Sequence, residues 1–228
     1  MPSGEELAIV ALSLKVAVAS VAASLPIAIA VAWLLARRDF PGKTALDALV
    51  HLPLVLPPVV VGYLLLMALG RGGALGGFLA SLGIVFAFRW TGAALAAAVM
   101  SFPLVVRAVR LSMEAIDPRL EAAGRTLGAR PWRVFATLTL PLAWPGIVTG
   151  ALLGFARSLG EFGATITFVA SIPGETETLP LAIYAYTQVP GAEAQALRLS
   201  VLSVILSLAA LAISEWMVRR RAAPSLDA

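Results

Sequence analysis

Five apolar stretches leave this chain little else to fold, since each is near the roughly 20 residues that carry a helix across a bilayer. They run from about Leu12 to Ala36, Leu49 to Leu69, Thr91 to Val109, Leu140 to Val169 and Leu199 to Val218. The stretches are continuous rather than alternating, so they predict membrane helices and not a barrel. Hydrophobic residues make up 60% of the chain and charged residues 13%. A soluble domain has roughly 45–50% and about 25%. The 228 residues thus hold one all-α membrane domain and no soluble domain of any size. The start MPSGEE is acidic and precedes no clean cleavage site, so the first stretch reads as a retained helix.

The basic residues set a topology. Alternating the sides places Arg37, Arg38, Lys43, Arg107, Arg110, Arg119, Arg125, Arg130, Arg133 and Arg219 to Arg221 on one side. Arg71, Arg89 and Arg198 fall on the other. Basic residues in short loops stay cytoplasmic, so the N-terminus is expected outside and the C-terminus inside. The pI near 10.1 therefore reports membrane orientation, and no nucleic-acid partner is expected. Residues 171–197 form an outer loop in which Leu179 to Tyr186 are too few to span and predict a short interfacial helix. Trp33, Trp90 and Trp216 fall near the expected interfaces.

No catalytic centre is legible. There is no cysteine, and His51 alone cannot hold a metal, so neither metal nor cofactor is expected. Gly42-Lys43-Thr44 ends like a phosphate-binding loop, but the glycine required five residues earlier is Arg37 and no strand precedes it. Any ATP-driven work requires a partner.

Three features carry functional weight. Residues 121–146 (EAAGRTLGARPWRVFATLTLPLAWPG) form a charged, turn-rich segment on the cytoplasmic side. Gly128 can take the left-handed conformation that ends a short helix, and Pro131 can open the next. Arg130 and Arg133 flank Trp132, an aromatic anchor of the kind found at interface centres. Leu140-Pro141 marks entry into the membrane. Pro53, Pro57 and Pro58 must break or kink the second stretch; this makes a flexible pathway-lining helix or a structural kink. Arg157 and Glu161 stand four apart within the fourth stretch and can pair on one helix face. Such a pair can fix packing at the border of a pathway; alternatively Arg157, with the Ser158 or Thr165 hydroxyls, can meet an anion. Gly160 belongs to the same small-residue neighbourhood.

The 121–141 segment resembles the EAA signature of ABC-importer permeases. Nine residues separate Gly128 from Leu138-Thr139-Leu140-Pro141, as in that family. The spacing from Glu121-Ala122-Ala123 to Gly128 is one residue too long for the general pattern, but it matches the E-x-A-A-R-T-L-G form of the molybdate branch, with Gly124 for the last alanine. Residues 51–63 (HLPLVLPPVVVGY), 155–165 (FARSLGEFGAT) and 172–176 (IPGET) resemble the same branch. The likeness covers nearly all of residues 7–218.

It implies a type I (MetI-like) permease domain over 7–218, with a coupling segment at 115–137 and a short cytoplasmic tail at 219–228. It further implies a homodimer in the bacterial inner membrane, two cytoplasmic ATPase subunits and a periplasmic molybdate-binding protein. ATP hydrolysis would belong to the partner. The ATPase-coupling residues would be Glu121, Ala122, Ala123, Gly128, Arg130, Pro131, Trp132, Arg133, Leu140 and Pro141. Pathway or gate candidates are Pro57, Pro58, Arg157, Ser158, Gly160, Glu161 and Thr165. A sulfate/thiosulfate or tungstate permease of the same architecture is the near alternative, and an ion-gradient-driven transporter the distant one.

Overall fold

The computed structural model describes residues 4–222, except for the side chains of Ala74, Leu211 and residues 213–222. Most of the expected tail, and the side chains of Trp216 and Arg219 to Arg221, therefore lie outside the described residues. The regular structure described is helical throughout. Three helices are long and apolar enough to cross a bilayer alone, and five spans result if each of two bent pairs counts once.

α1 (Gly4–Arg37) and α5 (Trp90–Glu114) pack side by side in the same direction. Near their starts, the Lys15 ammonium sits 3.7 Å from the centre of the Trp90 ring. At their ends, Arg37 Nη2 donates to the Ile116 carbonyl at 3.1 Å. Two parallel neighbours require one return crossing between them. α2 (Lys43–Val55) and α3 (Pro58–Leu69) together supply it, and the short α4 (Ala74–Ser81) leads on to α5. The expected single kinked span over 49–69 is instead two helices bent by 113°. The interruption itself is local: Pro57 has extended backbone (ψ 133°), and Pro58, with no N–H, opens α3 at a position where none is needed.

The fourth span is also rebuilt. α6 (Pro118–Thr126) leads to α7 (Pro131–Val134), a π-helical turn (Phe135–Thr139) and α8 (Leu140–Leu142). The π turn shifts the ladder, with Leu140 N–H reaching Phe135 O, just ahead of the missing donor of Pro141. The chain then bends 67° into α9 (Trp144–Leu159). The bend falls at Ala143, just after Leu140-Pro141.

α9 runs antiparallel to α1 and α5 along a seam of small residues. A Cβ at Gly146 would lie 2.2 Å from Ser112, and one at Gly154 would lie 2.7 Å from Val105. Such close backbones are how membrane helices gain packing without a hydrophobic drive. Ala93, Ala96 and Ala97 of α5 are fully buried on the same principle. After a break at residues 160–162, α10 (Gly163–Val169) continues the crossing.

The loop that follows is folded on itself: Ile172 O accepts N–H groups from Glu175, Thr176 and Glu177. Thr176 and Thr178 are buried there, so this part of the 171–197 loop is not an open connector. Glu175 accepts from the Trp90 N–H at 3.4 Å and thereby caps α5. The short helix expected at the interface forms as α11 (Leu179–Thr187), but Leu179, Leu181 and Ala182 are buried, and it packs between α1 and α12 (Glu193–Ala222). α12 starts beside the start of α1, where Arg198 Nε meets Glu6 Oε1 at 2.9 Å. Successive crossings therefore alternate: α1, α2 with α3, α5, α9 with α10, and α12.

Candidate functional site

The two helix breaks face each other halfway through the bundle. Ser158, near the end of α9, lies 2.7 Å from Ser20 of α1 and donates to Ser101 of α5 at 3.4 Å. Ser101 is eleven residues from the start of α5, roughly 17 Å along it at 1.5 Å per residue, and so near its middle. Opposite, Pro58 packs on Gly163, where an added Cβ would come within 2.7 Å of the proline ring. Gly62 is tighter still, since its Cβ would lie 2.4 Å from the Ala164 carbonyl.

The Arg157–Glu161 pair is formed, with Nη1 and Oε2 at 2.6 Å. Glu161 is buried, and its other oxygen accepts the Ala164 N–H at 2.9 Å, so the carboxylate also caps α10. The Arg157 side chain keeps 30% of its surface. The hydroxyls offered for an anion point elsewhere: Ser158 belongs to the buried serine trio, and Thr165 Oγ1 donates to Phe162 O at 2.8 Å. Gly160 and Pro57 are exposed beside the break. Of the seven pathway candidates, then, Pro57, Gly160 and Arg157 present surface, Pro58 is partly covered, and Ser158, Glu161 and Thr165 are built into the wall.

The second site lies at the Arg37 end. Asp117 caps α6 by accepting the Arg119 N–H at 2.8 Å, and Pro118 fills the first turn. Gly128 takes φ +84°, and Ala129 N–H closes back on Gly124 O at 3.2 Å. Pro131 opens α7 as its position predicts. This stiff turn holds two large apolar side chains in the open, Leu127 at 88% exposure and Trp132 at 65%. Ala122, Ala123, Arg130, Pro131, Arg133 and Pro141 are exposed as well, and Leu140 is partly covered.

Glu121 points the other way. It is buried, 2.9 Å from Arg37 Nε, and accepts from Thr139 Oγ1 at 2.8 Å. Trp33 meets Phe135 edge-on at 5.7 Å nearby. Glu121 therefore locks α6 to the end of α1 and to the π turn. Arg37, Thr139, Ser20 and Ser101 were not singled out from sequence as partners. Each partner is dozens of residues distant or carries no local pattern, and Arg37 reads only as a topology charge.

A polytopic bundle broken at mid-depth beside a half-exposed arginine, with a stiff outward-facing segment locked to its spans, is built as the membrane subunit of a transport system. The chain belongs to the family of binding-protein-dependent transport system inner membrane components, which matches residues 24–223. It is similar to the molybdenum transport system permease protein ModB of Escherichia coli strain K12, at 61% identity over 211 residues and 92% of each chain. It is also similar to that of Haemophilus influenzae, at 59% over 216 residues and 94% of each chain. Among solved structures, it resembles a bacterial alginate ABC transporter in complex with an alginate pentasaccharide-bound periplasmic protein. The TM-score is 0.76 with 18% identity, over 96% of this chain and 80% of that one, a likeness of fold alone. The protein is a multi-pass inner-membrane permease subunit of the ABC importer class with the MetI-like fold.

Proposed function

We propose that this chain is the permease subunit of an ATP-driven molybdate importer. Two copies enclose the path, two cytoplasmic ATPase subunits grip the 121–133 segments, and a molybdate-binding protein sits on the opposite face. The single observation behind the substrate is the likeness to the two molybdenum permeases across nearly the whole chain. The observation behind the coupling is the exposed Leu127–Trp132 face, whose area makes no sense in water and fits a partner's groove.

The mechanism is alternating access. ATP binding draws the ATPase subunits together. The 121–133 segment moves with them, and the Arg37–Glu121–Thr139 lock carries that movement into α1 and the π turn. The facing breaks at residues 56–57 and 160–162 are where the spans can bend, because their backbone ladder is already interrupted. An oxyanion passing there meets the Arg157 guanidinium already engaged by Glu161. That engagement suits a permease, which must let its cargo go.

The mechanism requires the Arg37 end to face the cytoplasm, as the excess of basic residues there supports. Single cysteines test it in this cysteine-free chain. Gln188→Cys is exposed at the Trp90 end and should react with a membrane-impermeant thiol reagent from the periplasm, whereas Arg130→Cys should react from the cytoplasm alone. Reversed labelling would overturn the reading, since ATPase subunits reach only the cytoplasmic face. Tracer uptake in cells should be competed by molybdate and tungstate well ahead of sulfate. Sulfate as the stronger competitor would make this a sulfate permease.

A further inference from the structure

Three arginines stand on the side that the topology makes poor in positive charge: Arg71, Arg89 and Arg198. Arg198 is committed to Glu6 at 2.9 Å. Among the described residues, the guanidinium groups of Arg71 and Arg89 enter no ion pair or hydrogen bond. Both line the same cavity of about 780 Å³, between the far half of α3 and residues 85–89. Phe88, with φ 60°, makes the left-handed turn that precedes Arg89, and the Arg89 N–H closes on Phe86 O at 3.2 Å. The opposite wall is Tyr63, Leu66 and Met67 of α3. That helix starts at Pro58, on the mid-depth break, and ends at the cavity, a length of roughly 18 Å for its twelve residues.

We propose that Arg71 and Arg89 form an entry site for the transported oxyanion. Two free guanidinium forks at one mouth suit a tetrahedral dianion, whose oxygens accept paired N–H donors. The cavity and the break occupy the two ends of α3, so the mouth stands one helix length from the break that holds Arg157. Both arginines are exposed, and salt screens them over about 8 Å at physiological ionic strength. The site therefore gathers its anion without holding it, as onward passage requires. The inference rests on the reading of this chain as an oxyanion importer.

The test uses Gly72, whose Cβ would meet nothing within 4 Å. In the full transporter, Gly72→Cys should be alkylated by a neutral maleimide, and molybdate should slow that reaction where sodium chloride of equal ionic strength does not. Adding Arg71→Gln and Arg89→Gln should abolish the protection and lower ATP-driven molybdate uptake about tenfold at low ionic strength. Paired lysine replacements should restore part of both. Affinity for the liganded binding protein, measured by co-sedimentation with proteoliposomes, should stay unchanged. Protection that survives the glutamine pair would overturn the entry site. So would loss of binding-protein affinity in its place, which would make the two arginines a docking contact. If the unsubstituted protein takes up molybdate with ATP and the thiol of the Gly72→Cys variant is never protected, the entry site fails while the importer reading stands. If it takes up none, the importer reading itself fails.

Discussion

Gly128→Asp should insert and fold normally yet lose uptake by at least about a hundredfold. The chain itself has room for the change, since nothing lies within 4 Å of a Cβ there. The +84° φ of this turn strains any side chain, but aspartate less than most. The harm falls on the partner. The turn sits between Leu127 and Trp132, the two most exposed large side chains of the segment. A carboxylate brought into that covered surface loses its water, and unless Arg130 or Arg133 turns back to it, an uncompensated buried charge costs roughly 3–5 kcal/mol. A hundredfold loss corresponds to about 2.7 kcal/mol, within reach of that cost. Membrane level, ATPase co-purification and uptake should be measured together. Normal uptake from a well-assembled variant would mean that the segment is not where the ATPase grips.

Arg157→Ala should be the most damaging change inside the membrane domain. It strands the buried Glu161 carboxylate, with only the Ala164 N–H left to it. Losing one partner of a buried pair costs roughly 3–5 kcal/mol, whereas removing both is often close to neutral. Arg157→Leu with Glu161→Gln should therefore recover most of the folded yield and melting temperature in detergent, because glutamine can still accept from Ala164. Transport need not recover with it, as the exposed part of Arg157 is gone. Equal losses in the single and double variants would show that the pair does not stabilise the break.

What the sequence made legible follows from how far each interaction reaches. Gly128 and Pro131 are governed by φ at their own positions, and both took the predicted roles. Arg157 and Glu161 are one helical turn apart, so pairing was readable from spacing. The spans were legible from length, and two adjacent prolines announced the break at Pro57-Pro58. The size of that break was not legible. Its 113° depends on Gly62 and Gly163 letting α3 lie against α10, an agreement between segments a hundred residues apart. Separation in sequence likewise hid the Arg37 partner of Glu121, 84 residues away. The EAA signature marks this residue for the ATPase-coupling set, but the fold turns it inward onto Arg37 and Thr139. Glu175 of the IPGET loop is a similar case: it caps α5 by accepting the N–H of Trp90, 85 residues earlier. The π turn ahead of the bend at Ala143 arises where Pro141 removes a donor, and no periodicity reports it.

The central claim is that ATP, hydrolysed by a partner, moves molybdate through this chain. Its most direct test is reconstitution in liposomes of the permease with its ATPase, with the binding protein on one side and ATP confined to the other. The account predicts molybdate accumulation on the ATP side, dependent on both ATP hydrolysis and the liganded binding protein. Sulfate should fail to replace molybdate, and the Gly128→Asp permease should abolish accumulation. Accumulation driven by an imposed ion gradient without ATP would contradict it.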